Sequence, residues 1–193
     1  MMSGINTGAP STIERIKKNT VGAEIGVWKG DTSAKMLKKG LNHLHLVDAW
    51  SPTVWFDNLD AKDQERALEK YKKLTGEATR DSMVRYYEEV YDYVVKRFAK
   101  HNNVTIHRAD SKQWLKEPKP FMFDWIYVDG DHSYEGCLSD LEDCLKLIKK
   151  DGTLFADDYT NKPNVKKAID YFCTKHNFKF DVYGVNQVQI HLQ

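Results

Sequence analysis

What this 193-residue chain has little of narrows the field before any motif is read. Its 29 basic residues nearly cancel its 28 acidic ones, leaving +1, so no global field draws it to nucleic acid or to an anionic membrane. No apolar run approaches the roughly 18 to 20 residues of a membrane span. The opening residues, MMSGINTGAPSTIERIKKNT, lack the apolar core of a secretory signal. The three cysteines, Cys137, Cys144 and Cys173, form no CxxC and have no histidine at metal-site spacing, which argues for reduced thiols rather than a disulfide framework or zinc. No internal repeat, low-complexity tract or interdomain linker is visible. Together these absences describe a cytoplasmic protein whose partner is a small molecule. With 41% hydrophobic and 12% aromatic residues, the chain supplies one full core, so a single domain over residues 1–193 is expected.

Apolar runs that read as strands alternate with helical stretches, the pattern of parallel strands joined by crossover helices. Strands are expected at Val21–Val27, His43–Asp48, Val104–His107, Asp124–Asp129 and Thr153–Ala156. Helices are expected at Thr32–Lys39, Tyr134–Lys149, with Gly152 as its left-handed stop, and Asn164–Lys175 after Pro163. Lys179–Val182 and Gln187–His191 are joined by too few residues for a parallel crossover, so they must pair antiparallel. The expected fold is therefore α/β: a Rossmann-like, seven-stranded, mostly parallel sheet with a C-terminal antiparallel hairpin and helices on both faces.

The connection from Ala49 to Asn103 is too long for one crossover. Met83, Tyr87, Val90, Val94 and Phe98 fall on one face at spacings of three or four and make 81–100 the crossover helix. Residues 51–80 are then an insertion, with a charged helix at about 61–74. It leaves the carboxyl end of the second strand, where it is placed to act as a lid or as a solvated, dimerising helix.

Chemistry in such a sheet collects at the carboxyl ends of the strands. WIYVDGDH at Trp125–His132 and LFADDY at Leu154–Tyr159 put Asp129, Asp157 and Asp158 there, able to converge on one hard cation or one polar substrate. The first strand and its turn read AEIGVWKGDTS, which is ExGxxxG and not the GxGxxG of a dinucleotide fold. Gly26 and Gly30 let the backbone approach a ligand closely. Glu24 disfavours phosphate and suits an ammonium. Asp48, ending the second strand, is placed to accept hydrogen bonds from a ribose diol. Asp110 and Ser111 follow the third strand, where they meet an adenine edge, with Trp50 or Trp114 as stacking partners. Ribose plus ammonium without phosphate describes S-adenosylmethionine.

The strings EIGVWKGDTS, VDAW, RADS, VDGDHSYE and ADDY resemble, at matching intervals, the class I S-adenosylmethionine-dependent methyltransferases, and more closely the group that includes macrocin O-methyltransferase. The resemblance runs from about Val21 to Tyr159. It departs at Ala109, where the family often has Gly, and at the 51–80 insertion. It implies S-adenosylmethionine bound by Glu24, Gly26, Gly30, Asp48, Trp50, Asp110, Ser111 and Asp129. It also implies a divalent ion, usually Mg²⁺, held by Asp129, Asp157 and Asp158, as in the related cation-dependent O-methyltransferases.

Three carboxylates suit an oxygen-ligated cation, which orients two adjacent hydroxyls and stabilises one as an oxyanion. His132, three residues after Asp129, is the candidate general base, since an unperturbed imidazole near 6.5 takes a proton around neutrality. The leading expectation is metal-assisted O-methylation of a small sugar- or phenol-like acceptor. A metal-independent methyltransferase with His132 as sole base, and a noncatalytic nucleoside-binding protein, stand beside it. Homo-oligomerisation is left open.

Overall fold

The computed structural model describes residues 10–192. A seven-stranded sheet is built from β1 (Val21–Ile25), β2 (His43–Asp48), β3 (Val104–Arg108), β4 (Phe123–Val128), β5 (Ile148–Ala156), β6 (Lys179–Tyr183) and β7 (Gln187–His191), in the order β3-β2-β1-β4-β5-β7-β6. The first five are parallel to one another; β7 pairs antiparallel with both β5 and β6. This is the expected fold. Its logic is visible in burial: β1, β2 and β4 are covered on both faces and mostly buried, whereas the edge strand β6 is mostly exposed.

Alternate residues of the strands feed two cores. Ile126 and Val128 point to the side covered by α5 (Ser111–Trp114), α6 (Tyr134–Cys144) and α7 (Pro163–His176). Trp125 and Tyr127 point to the side of α1 (Pro10–Arg15), α2 (Asp31–Leu37) and α4 (Arg80–Phe98). Met83, Val90, Val94 and Phe98 of α4 are buried, as their spacing implies. The inserted helix α3 (Ala61–Thr75) starts at Asp60, whose side chain accepts the Asp63 amide, and ends at left-handed Gly76; it buries no residue.

The largest departure from the expected boundaries lies between α6 and β5. The helix begun at Tyr134 stops at Cys144, and Gly152 lies inside β5 rather than at a helix end. The pairing of Phe123 with Ile148 starts the strand early, and its register shifts before Trp125 pairs with Thr153. A Cβ at Gly152 would stand 2.6 Å from Ile148 Cγ1 and 2.9 Å from the Lys149 carbonyl. Close approach, not left-handed geometry, requires glycine there.

His43, His45 and His107 lie on the outer strands β2 and β3. His45 Nδ1 lies 2.9 Å from His107 Nε2, and His43 Nε2 bonds Thr105 Oγ1 at 2.8 Å. His45, packed among Trp114, Phe121 and Phe123, is only 8% exposed. Burial first, then the neighbouring His43, His107 and Lys119, lower it to about 4. The unfolded chain, with His45 near 6.5, binds a proton that the folded chain refuses until about pH 4. Stability from this group is thus full above pH 6.5 and lost as pH falls, on the order of 2 kcal/mol by pH 5. His45→Gln is expected to shrink the stability difference between pH 8 and pH 5 by about that amount in urea titrations. An unchanged difference would show that His45 does not carry the effect.

Candidate active site

The turn after β1 is pressed against the loop after β4. The Asp129 amide donates to the Ile25 carbonyl at 2.8 Å. Gly26 adopts φ +87°, and a Cβ there would fall 2.0 Å from the Asp129 carbonyl oxygen. Only glycine allows this approach, which brings the turn to the acids of β4. Gly30 (φ +70°) has Phe98 of α4 where a side chain would go.

Asp48 holds this turn from the side of β2. Its Oδ2 accepts the amides of Val27 (2.9 Å) and Trp28 (2.8 Å), and its Oδ1 accepts the amide of Trp50 (2.7 Å). Trp28 and Trp50 both sit at positive φ, +47° and +41°, a conformation that costs an L-residue and persists only where surrounding bonds enforce it. The Trp50 indole donates to the Trp28 carbonyl at 2.8 Å, and the ring is fully buried beside Tyr91. This corrects the stacking role expected for Trp50, because its faces are spent on the core; Trp114 is likewise buried, against His107. Trp28 is half exposed.

Glu24 lies deeper than its place in the motif suggests. It is buried, and the Ser33 hydroxyl of α2 donates to its Oε2. Burial raises it to about 8, with Ser33 opposing and Asp129 and Asp48 adding to the rise. Asp110 is partly exposed and caps α5, its Oδ1 accepting the Lys112 amide at 3.0 Å. Ser111 donates to Asp140 Oδ1 of α6 at 2.9 Å.

The three acids singled out at the ends of β4 and β5 do not all converge. Asp157 turns inward: its carboxylate accepts the Tyr127 hydroxyl, the Gln187 Nε2 at 2.9 Å and the Asp158 amide at 2.7 Å. Left-handed Asp158 (φ +64°) sends its own carboxylate the other way. Asp129, His132 and Asp158 therefore form the cluster, with ligand atoms all within 4.8 Å of one another. His132 Nε2 stands 2.9 Å from Asp158 Oδ2 and 4.0 Å from Asp129 Oδ1. Each member keeps some solvent contact, as a binding group must.

The cluster tunes itself. Its two carboxylates raise His132 to about 9, so in this arrangement the imidazole is charged near neutrality rather than poised as a base. Asp129 is raised to about 7 by burial and by Asp157 and Asp158, with His132 pulling it back. For Asp158, bonds from His132 and Asn161 outweigh burial and hold it low.

Ser33, Tyr127, Asp140 and Gln187 carry no sequence signal as site residues. Gln187 reaches Asp157 only because β7 pairs antiparallel with β5, and no local spacing encodes that contact.

A seven-stranded sheet of this order, with a glycine turn and acids at successive strand ends, defines the Rossmann-like methyltransferase class. A family model described as a methyltransferase domain matches residues 23–159, and the chain belongs to that family, the class I S-adenosylmethionine-dependent methyltransferases. Solved structures share the fold at low identity. One described as a caffeoyl-CoA O-methyltransferase, from Staphylococcus aureus, is 11% identical with a TM-score of 0.63, covering 98% of this chain and 84% of its own. The O-methyltransferase NovP is 20% identical with a TM-score of 0.54, covering 94% and 75%. A protein from Streptococcus mutans described as a methyltransferase, solved with SAH, is 11% identical with a TM-score of 0.58, covering 97% and 98%. No curated protein matches the chain.

The Asp48 brace is directly testable. Asp48→Asn replaces one accepting oxygen with a donor and leaves at least one of three amides facing no acceptor. A loss of about 1 to 3 kcal/mol is expected in urea unfolding, and full retention of stability would show that the turn does not depend on Asp48.

Proposed function

We propose that the protein is an O-methyltransferase of the macrocin O-methyltransferase-like group, acting with a divalent cation, Mg²⁺ by preference, on a small hydroxylated acceptor of the sugar or phenol type. One observation carries this reading: the partly exposed Asp129, His132 and Asp158 stand together at the rim, and Asp129 belongs to the loop against which the Gly26 turn is pressed. Cofactor turn and acceptor-side acids are thereby neighbours. The names of two relatives, a caffeoyl-CoA O-methyltransferase and NovP, support oxygen as the accepting atom.

The donor set fits both groups. Asp129 and Asp158 offer oxygens to a hard cation, with Asp157 holding the Asp158 amide from behind. Gly26, Gly30, Asp48, Asp110 and Ser111 surround the nucleoside side. Glu24 acts from beneath, through Ser33, since burial keeps it from direct contact. S-adenosylmethionine supplies an electrophilic methyl group, and the cation supplies stabilisation of an acceptor oxyanion. His132 takes the hydroxyl proton at Nε2 once its two carboxylate partners are engaged elsewhere, because that pairing is what keeps it charged.

The metal-independent reading has its own observation: His132 already pairs with both carboxylates without any ion. The 51–80 insertion we assign as a lid: α3 buries no residue and is tied to α4 through the aromatic contacts of Tyr71 and its 2.7 Å bond to the Tyr87 hydroxyl. Among the described residues no helix is long and apolar enough to cross a membrane, and we place the enzyme's work in the cytoplasm.

S-adenosylhomocysteine at about one hundred times its Kd is expected to raise the melting temperature by roughly 5 to 10 °C; no shift with or without Mg²⁺ would sink the cofactor assignment. Asp158→Ala is expected to keep that shift and lose at least about a hundredfold in turnover, while Asp48→Ala weakens the shift. Turnover that survives EDTA would select the metal-independent reading.

A further inference from the structure

Asp140 is the acid in this structure that packing explains least. Glu24 has Ser33, Asp157 accepts three donors, and the buried Asp143 pairs with Lys146 at 2.6 Å. Asp140 is fully buried on α6 and has only the Ser111 hydroxyl, on Oδ1; among the described residues its Oδ2 has no partner. Its helical neighbours in the core are Cys137, Leu141 and Cys144, a setting in which an apolar side chain would be the stabilising choice. A buried polar atom left unpaired costs about 1 to 3 kcal/mol. Burial raises this carboxyl to about 7, with Ser111 opposing. Packing gives no reason for a carboxyl here, and a buried polar atom left without a partner points to a role outside the core.

Its position says what that is. Ser111 opens α5, directly after β3, and Oδ2 lies beside the loop after β4, where a Cβ on Gly130 would stand 3.3 Å from it. The same two segments meet again at the surface, where Lys112 Nζ is 3.6 Å from Asp131 Oδ2. Asp140 thus sits beneath the seam between the turn that carries Asp110 and Ser111 and the loop that carries Asp129 and His132.

We propose that Asp140 is a positioning residue for cofactor binding: by holding the Ser111 hydroxyl beside Gly130 it presets the edge that receives the adenine end of S-adenosylmethionine. The inference rests on the reading of Asp110 and Ser111 as the nucleoside side of the site. A preset edge spares the ligand the ordering of these segments, so losing the anchor is felt in affinity rather than in folding.

Asp140→Leu removes the anchor and the buried carboxyl while filling the same space. It is expected to leave the melting temperature unchanged or higher and to raise the Kd for S-adenosylhomocysteine, measured by calorimetry, about tenfold. Asp140→Asn keeps an oxygen for Ser111 and is expected to restore the affinity to within about threefold of wild type. Ser111→Ala should weaken binding like Asp140→Leu, and the double variant should be no weaker than Ser111→Ala alone. Wild-type affinity in Asp140→Leu, an affinity loss that only tracks a fall in melting temperature, or failure of Asn to rescue would each overturn the proposal. If Asp140→Leu does not fold, unchanged binding by Ser111→Ala overturns it from the other side of the bond. Absence of any binding by the wild-type protein removes the nucleoside reading and this inference with it, whereas normal binding by wild type and Asp140→Leu alike removes this inference only.

Discussion

The site depends on a contact with no room for a side chain. Gly26 passes so close to the Asp129 carbonyl that a methyl group would overlap it, and this is what joins the turn after β1 to the loop after β4. A parallel sheet already brings the carboxyl ends of its strands to one edge, but a shared edge is not yet a site. The glycine contact closes the distance, and Asp48 then holds the turn in place with three amide bonds on one carboxylate.

Crowding acids at one edge is electrostatically costly, and each member answers the cost differently. Glu24 is buried and pushed toward its neutral form beside Ser33. Asp48 is surrounded by backbone donors. Asp157 is satisfied by a phenol, an amide side chain and a backbone amide. Asp129 and Asp158 share the charge of one imidazole, that of His132. The buried acids have fixed protein donors, whereas the acids at the rim have only the half-exposed His132 between them.

Much of the architecture is legible along the chain because its signals are local. The amphipathic spacing of Met83, Val90, Val94 and Phe98, the Pro163 start of α7 and the short link before Gln187 all read as built. The end of α6 was less legible, since Gly152 looks the same as a helix stop and as a residue in a crowded strand; pairing with β4 decided between them. The site was legible as a set of residues at strand ends, and less so as a set of contacts. Trp50 is a plausible stacking ring by position and a core residue by packing. Asp157 and Asp158 are adjacent and chemically identical, yet left-handed φ at Asp158 sends them in opposite directions.

By itself the sequence determined the parallel sheet, its antiparallel hairpin and the strand ends at which acids and glycines stand, because periodicity, turn chemistry and link length act between residues near in the chain. The tertiary structure alone decided which of those groups face outward. That Asp129, His132 and Asp158 cluster while Asp157 turns to Tyr127 and Gln187, and that Asp140 lies beneath Ser111, follows from strand pairing and helix packing across tens of residues. Side-chain direction at a strand end is set by what packs around it, and those neighbours are distant in sequence.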